Sequence, residues 1–429
     1  MSAPREPGAC SCGARWRGVL WRTMHKAKTA RAARAVALLL GASVASWLTF
    51  YLYAALGFPG LVNLVSPDMA VHPDYDIFRL TAAALWKGND IYRGTGAPGV
   101  SLNPPAWALI FTPFVPLKPI VGFRVFLIIA LLAMIGCLAW MVGELRLQAG
   151  WTAVGVAALL LSAPLQETLG IGQIYTLLAL GIASAWILRQ RGSFLAAGVC
   201  LGLVTVLKPS LLPVLLWPAL LREWRMLGAA IGAGSAVTLV GVVAAGPGAT
   251  LEYARVLSEH RPDGSWDNAS LVAAAARLFT HNDFARPLAE VPWALPASFA
   301  LGFAVLGITA AKVWRDPGWG LDWGLWALIA ASLLASPVSW RGYFLLIAPG
   351  ILLLFARGRY PAALLLSSLL LIPNQWTVLW YERDTVLATM ALTLSSYILV
   401  ACWLTFLLVR GPAAQPQRTD REARETART

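Results

Sequence analysis

The sequence predicts an all-α, polytopic integral membrane protein. Composition is the first reason. Of 429 residues, 58% are apolar and only 13% charged, and the mean hydropathy is +0.65. A soluble chain of this length needs a far more charged surface. The second reason is repetition, because apolar runs of about 15 to 23 residues recur along the chain. The third is their texture. They do not alternate apolar and polar residues as a transmembrane barrel would.

The runs fall near 35–56, 121–143, 150–165, 172–189, 193–206, 209–221, 226–245, 292–313, 321–335, 342–356, 360–374 and 387–409. That gives about twelve crossings, several of them short for a hydrocarbon core of about 30 Å. The first follows an arm carrying Arg5, Arg15, Arg17, Arg22, Lys26, Lys28, Arg31 and Arg34. It is too long for a signal-peptide core and no small-residue cleavage site ends it, so it reads as an uncleaved anchor. Residues 1–34 are then a basic cytoplasmic arm, 35–409 the transmembrane domain, and 410–429 a charge-mixed cytoplasmic tail whose composition predicts disorder.

The connectors sort by charge. Arg189/Arg191, Arg222/Arg225, Lys312/Arg315, Arg357/Arg359 and Arg410 fall on the side of the arm, which is the positive-inside pattern. The formal charge of +13 then suits anionic lipid rather than nucleic acid, for which no motif is present. The extracytoplasmic side receives Asp74, Gln173, Lys208, Asp267-Asn268, Ser336 to Trp340 and Tyr381-Glu382-Arg383-Asp384. Two long connectors lie there, 57–104 and 246–291. Residues 77–87 have the spacing of an interfacial amphipathic helix, starting after Asp74 and Asp76. The run 105–117, opened by Asn103-Pro104-Pro105, reads as a re-entrant hairpin, with a thirteenth crossing as the competing account.

Each polar feature on that side has a structural reading beside the chemical one. Asp74 and Asp76 suit helix N-capping, or a general base taking a proton from a hydroxyl. Gly170-Ile171-Gly172-Gln173 suits a helix start, or close backbone approach with a donor and acceptor for a sugar. Lys208 before Pro209 is a snorkelling lysine, or an expensive cation kept for an anion such as a lipid phosphate. Asp267-Asn268-Ala269-Ser270 with Arg277 suits a capped helix. Trp340 and Tyr343 suit an aromatic belt, and Arg341 could pair with phosphate. The five cysteines make no disulfide framework, and Cys10-Ser11-Cys12 lacks the partners of a zinc site. No Walker motif, dinucleotide fingerprint or HExxH helix is present, which argues against a nucleotide-powered pump.

In this order the pieces resemble glycosyltransferase family 87, membrane enzymes of the C-type glycosyltransferase fold, over about 35–409. The matching residues are Asp74, Phe78, Gly88 and Tyr92, then Pro104-Pro105, Gly172-Gln173, Lys208-Pro209, Asn268 with Ser270 and Arg277, and Ser336 to Trp340. There is one departure. The family commonly has a His shortly after the Trp, and here the chain reads Arg341-Gly342-Tyr343. The resemblance implies inverting transfer of a sugar from a polyprenyl-phosphate donor to a lipid-linked or cell-envelope glycan, outside a bacterial membrane. Mannose is the first expectation and arabinofuranose the second. Asp74 would be the base, with Asp76 as fallback. Lys208, Arg341 and Arg277 would hold the donor phosphate. Gln173, Asn268, Ser270, Tyr92 and Trp340 would hold sugar or acceptor. No metal or other cofactor is required by this scheme. A lipid or sugar transporter is the reading from another class, but no internal repeat supports it.

Overall fold

The computed structural model describes residues 71–93, 95–97, 99–259, 264–372 and 384–410. The basic arm, the expected anchor at 35–56, Tyr381 to Arg383 and the tail from 411 lie outside them. The described residues form helices and no sheet, apart from one isolated bridge between Asn268 and Trp340.

In chain order the helices are α1 (Pro73–Trp86), α2 (Pro105–Phe111), α3 (Pro119–Leu145), α4 (Ala149–Leu160), α5 (Ala163–Ile171), α6 (Tyr175–Gln190) and α7 (Phe194–Leu207). A 3-10 stretch, Pro209–Leu215, leads into α8 (Leu216–Leu220). Then come α9 (Trp224–Ala245), α10 (Pro247–Glu259), α11 (Leu271–Phe279) and α12 (Ala294–Arg315). The apolar helix α13 (Pro317–Ala335) is followed by a 3-10 stretch, Arg341–Leu346, and by α14 (Ala348–Ala356), α15 (Tyr360–Leu371), α16 (Val386–Leu392) and α17 (Leu394–Leu408).

Among the described residues the predicted apolar runs fall in helical segments, with 150–165 and 387–409 each broken by a bend and 209–221 and 342–356 opening as 3-10 stretches. The 27-residue α3 is about 40 Å long, more than the apolar core of a bilayer. Among the described residues four helices are long and apolar enough to cross a membrane, α3, α9, α12 and α13. The number is six if the bent pairs α4/α5 and α16/α17, kinked by 43° and 44°, each make one span. The other apolar helices are shorter, and prolines at their ends or interiors explain why. Pro209 and Pro213 keep the chain after α7 in a 3-10 form. The segment expected to be a hairpin is a short buried helix, α2, with a 3-10 turn, Thr112–Phe114.

The core sits around α13, whose residues from Leu325 to Leu334 are all buried. Elsewhere in the bundle, small residues allow a close helix crossing. On α7, a Cβ at Gly198 or Gly202 would come within 2.2 Å of the carbonyl oxygens of Met226 or Ala230 on α9. Only glycine lets these two backbones touch, the usual solution where helices pack without water to drive them together.

Helix direction sorts the polar residues into two groups. Leu145, Gln190, Arg315, Arg357 and Arg410 lie at helix ends on one side of the bundle. Contacts there include Arg191 with Glu144 and Lys312 Nζ with the Leu407 carbonyl at 2.5 Å. The starts of α3 and α6, the ends of α5, α7 and α13, and the N-terminus of α1 lie at the other side.

Candidate active site

The site begins at the N-terminus of α1. Pro73 occupies the first helical position, where its missing N–H is no loss and its φ suits the helix. The cap is His72, whose Nδ1 accepts from the Asp74 N–H at 3.2 Å. This corrects the expected start. Asp74 and Asp76 do not precede α1 or cap it. They lie in its first turn, where the helix dipole favours carboxylates. Tyr75 and Phe78 anchor the turn, with ring centroids 5.0 Å from Phe123 and Phe111 respectively.

The two carboxylates then part company. Asp76 turns to Arg79, at 3.3 Å on its own helix. Asp74 faces the end of α5, where Gln173 Nε2 donates to Asp74 Oδ2 at 2.8 Å. The amide must present its nitrogen, because a carboxylate only accepts. Gly172 makes the meeting possible. It ends α5 at φ 76°, and a Cβ there would strike Phe123 at 2.8 Å and Tyr75 Cβ at 3.0 Å. Gln173 is buried, while the Asp74 side chain keeps 37% of its surface exposed. One carboxylate is thus fixed in direction yet reachable.

From Gln173 the chain enters α6 at Tyr175, whose ring meets Tyr343 edge to face at 4.5 Å. Over the Tyr343 ring, 4.5 Å from its centroid, sits Lys208 Nζ. Pro209 forces Lys208 out of the helical region, to φ −133° and ψ 85°. Among the described residues no carboxylate lies in ion-pair range of this ammonium.

Arg341 arrives through a stitched pair of loops. Ala269 N donates to the Ser339 carbonyl at 2.7 Å, and Arg341 N to the Asp267 carbonyl at 3.0 Å. The guanidinium is buried. Its ion pair with Glu167 Oε1 is long, 3.8 Å, and its Nε and Nη2 have no hydrogen-bond partner. Asp267 is a further carboxylate of this end. Burial pushes its carboxyl up to about 6, Arg341 opposes that rise, and the Asp74 charge adds to it. Burial also holds the His72 imidazole below its usual range, against the pull of Asp74.

Four expected ligands are given other tasks. Arg277 is fully buried, and its guanidinium donates to the carbonyls of Ser265 and Asn268 and to Ser396 Oγ and Thr393 Oγ1. Asn268 Nδ2 donates to the Pro337 carbonyl, and its Oδ1 accepts from Ser270 N and Ser339 N. Ser270 caps α11, accepting from Ala273 N at 3.0 Å. Tyr92 donates its hydroxyl to the Asn103 carbonyl at 2.8 Å. All four are buried and spend their polar atoms on holding loops, so the capped-helix reading describes Ser270 and Arg277 better than a phosphate or sugar contact. Trp340 is half-buried and packs against the core. The motifs did not single out Glu167, Asp267 or Tyr343 as site residues. A carboxylate inside the apolar run Ala163–Ile171 was the available signal for Glu167. Among the described residues no three His, Cys, Asp or Glu side chains gather as metal ligands.

The model of glycosyltransferase family 87 matches residues 102–337, more than half of the chain. The chain belongs to glycosyltransferase family 87. It is a membrane glycosyltransferase. The family match spans Gln173 and Lys208 and ends at Pro337, and Asp74 and Arg341 lie outside it. A comparison with curated proteins finds no match.

Proposed function

We propose that this family 87 enzyme moves a sugar, mannose first, from a polyprenyl-phosphate donor to a lipid-linked or envelope glycan outside the cell membrane. The observation that carries the proposal is the Asp74 carboxylate, oriented by Gln173 at 2.8 Å, at the end of the bundle that holds Lys208 and Arg341 without close counter-ions. The multi-pass arrangement, with about twelve crossings and both termini in the cytoplasm, follows from the positive-inside pattern.

Asp74 takes the proton of the acceptor hydroxyl as its oxygen attacks the anomeric carbon. The bond from that carbon to the phosphate oxygen breaks, and the lipid phosphate leaves with the electron pair. Attack opposite the leaving group inverts the anomeric centre. No general acid is needed, because a phosphate is already a stable anion. Lys208 and Arg341 stabilise the charge that develops on it, and a dry setting makes each cation count for more than in water. Gln173 keeps the carboxylate aimed.

The test is direct. Purified full-length protein is given polyprenyl-phosphate mannose and, separately, polyprenyl-phosphate arabinofuranose, with membrane lipid extract as acceptor. Transfer of mannose with inversion supports the reading. Transfer of arabinofuranose alone replaces the sugar and keeps the mechanism. Movement of intact donor across vesicle bilayers without transfer or hydrolysis would favour a flippase instead.

A further inference from the structure

His72 is the histidine that touches Asp74, and nothing above uses it beyond its cap. The same nitrogen, Nδ1, faces two atoms of Asp74. It accepts from the backbone N–H at 3.2 Å and lies 3.8 Å from the carboxylate oxygen Oδ1. The other oxygen, Oδ2, is the one held by Gln173. A nitrogen that accepts from an N–H carries a lone pair, so the capping imidazole is neutral with its proton on Nε2. It then has nothing to give the carboxylate. Once Nδ1 is protonated it can no longer cap. It becomes a donor, and Asp74 Oδ1 is a carboxylate oxygen within ion-pair range of it.

We infer that His72 is a positioning residue for Asp74, holding the base open while neutral and capturing it when protonated. This rests on the reading of Asp74 as the base. In the neutral form the cap fixes the first turn of α1, and with it the direction of the carboxylate. In the protonated form an ion pair occupies Oδ1 while Gln173 occupies Oδ2, and the α1 cap is lost at the same time. Both changes act against proton transfer from an acceptor.

The surrounding charges leave Asp74 as the partner. On α1, Asp76 and Arg79 are paired with each other at 3.3 Å. The segment from α2 through Thr112–Phe114 carries no titratable group. On α5 the single charge, Glu167, faces Arg341. Asp267 acts on Asp74 and Arg341 rather than on His72.

The experiment compares wild type, His72→Asn, His72→Ala and Asp74→Asn as full-length protein in lipid nanodiscs. Asparagine is a strong N-cap acceptor that does not titrate. His72→Asn is expected to keep the wild-type plateau rate, and its acid limb to move to lower pH. One pH unit below the wild-type acid midpoint it should retain about tenfold more of its plateau. His72→Ala should lose about tenfold in kcat with KM unchanged, because the base is misplaced rather than substrate contacts removed. A substrate-free arm follows the imidazole signals of selectively labelled protein by NMR, with His72→Asn assigning the resonance. Asp74→Asn should lower the His72 titration midpoint, since the attraction to the carboxylate is gone. Coincident acid limbs for wild type and His72→Asn, or an unmoved midpoint in Asp74→Asn, overturn this inference alone. Full sugar transfer by Asp74→Asn overturns the base reading and this inference with it.

Discussion

The two ends of the helix bundle differ in how they hold particular cations. At the end where α3 and α6 finish, Arg189, Arg191 and Arg357 each meet a carboxylate. Arg189 meets Glu223 at 2.9 and 3.1 Å, Arg191 meets Glu144 at 2.6 and 2.9 Å, and Arg357 meets Asp322 at 2.7 Å. At the other end Lys208 rests on a tyrosine ring, and Arg341 reaches Glu167 only at 3.8 Å. An unmatched buried cation costs folding energy. On the reading proposed above, Lys208 and Arg341 are left for the donor phosphate.

Breaking the site end should therefore cost activity and little stability. Asp74→Asn is expected to lower kcat by about a thousandfold, the usual scale for losing a general base, with Tm and KM near wild type. Steady-state transfer and scanning fluorimetry check both halves. Lys208→Met should lower kcat by about a hundredfold without loss of Tm, because a desolvated cation is replaced by an apolar chain of similar length. A large drop in Tm would mean that the lysine is a structural contact.

Breaking the matched end should do the reverse. Glu223→Gln leaves Arg189 unmatched among mostly buried groups, and should cost about 2–4 kcal/mol of stability while the surviving protein keeps its rate within about twofold. Asp267→Asn provides the opposite sign at the site end. The folded carboxyl, at about 6, lies above its unfolded value, so the ionised form is penalised by folding. Stability then rises as pH falls through about 6 and levels below about 4. The Asn variant should be more stable than wild type at pH 7.5 and show none of that rise. Tm measured at several pH values decides it. The smallest effect is expected of Asp76→Asn, which removes a half-buried pair with Arg79 on the same helix, worth about 1 kcal/mol. Its kcat should stay within about twofold, and a loss comparable to Asp74→Asn would exchange the roles of the two carboxylates.

Much of this arrangement is legible in the chain, and the illegible part has a common cause. The run 121–143 is α3, and the run 226–245 is α9, because hydropathy is a property of a local window. Lys208-Pro209 ends α7 as expected, since proline acts on its immediate neighbours. The start of α1 was displaced by one detail, the His72 cap, which competes with the aspartates for the same role. The capped helix at Ser270 was legible, but the loop contacts of Arg277 and Asn268 were not. A buried arginine bonding loop carbonyls and a surface arginine awaiting phosphate are written with the same letter.

The sequence by itself determined the all-helical class, the apolar helices, the clustering of costly polar residues between them, and a glycosyltransferase reading. Apolar content, periodicity and proline placement are local, and need no knowledge of what packs where. Only the tertiary structure decided that Asp74 and not Asp76 meets Gln173, 99 residues away. It also decided that Tyr343 carries Lys208, and that Asn268 and Arg277 brace loops. Those outcomes depend on which helix ends converge and which polar atoms are already spent, and long-range packing alone sets both.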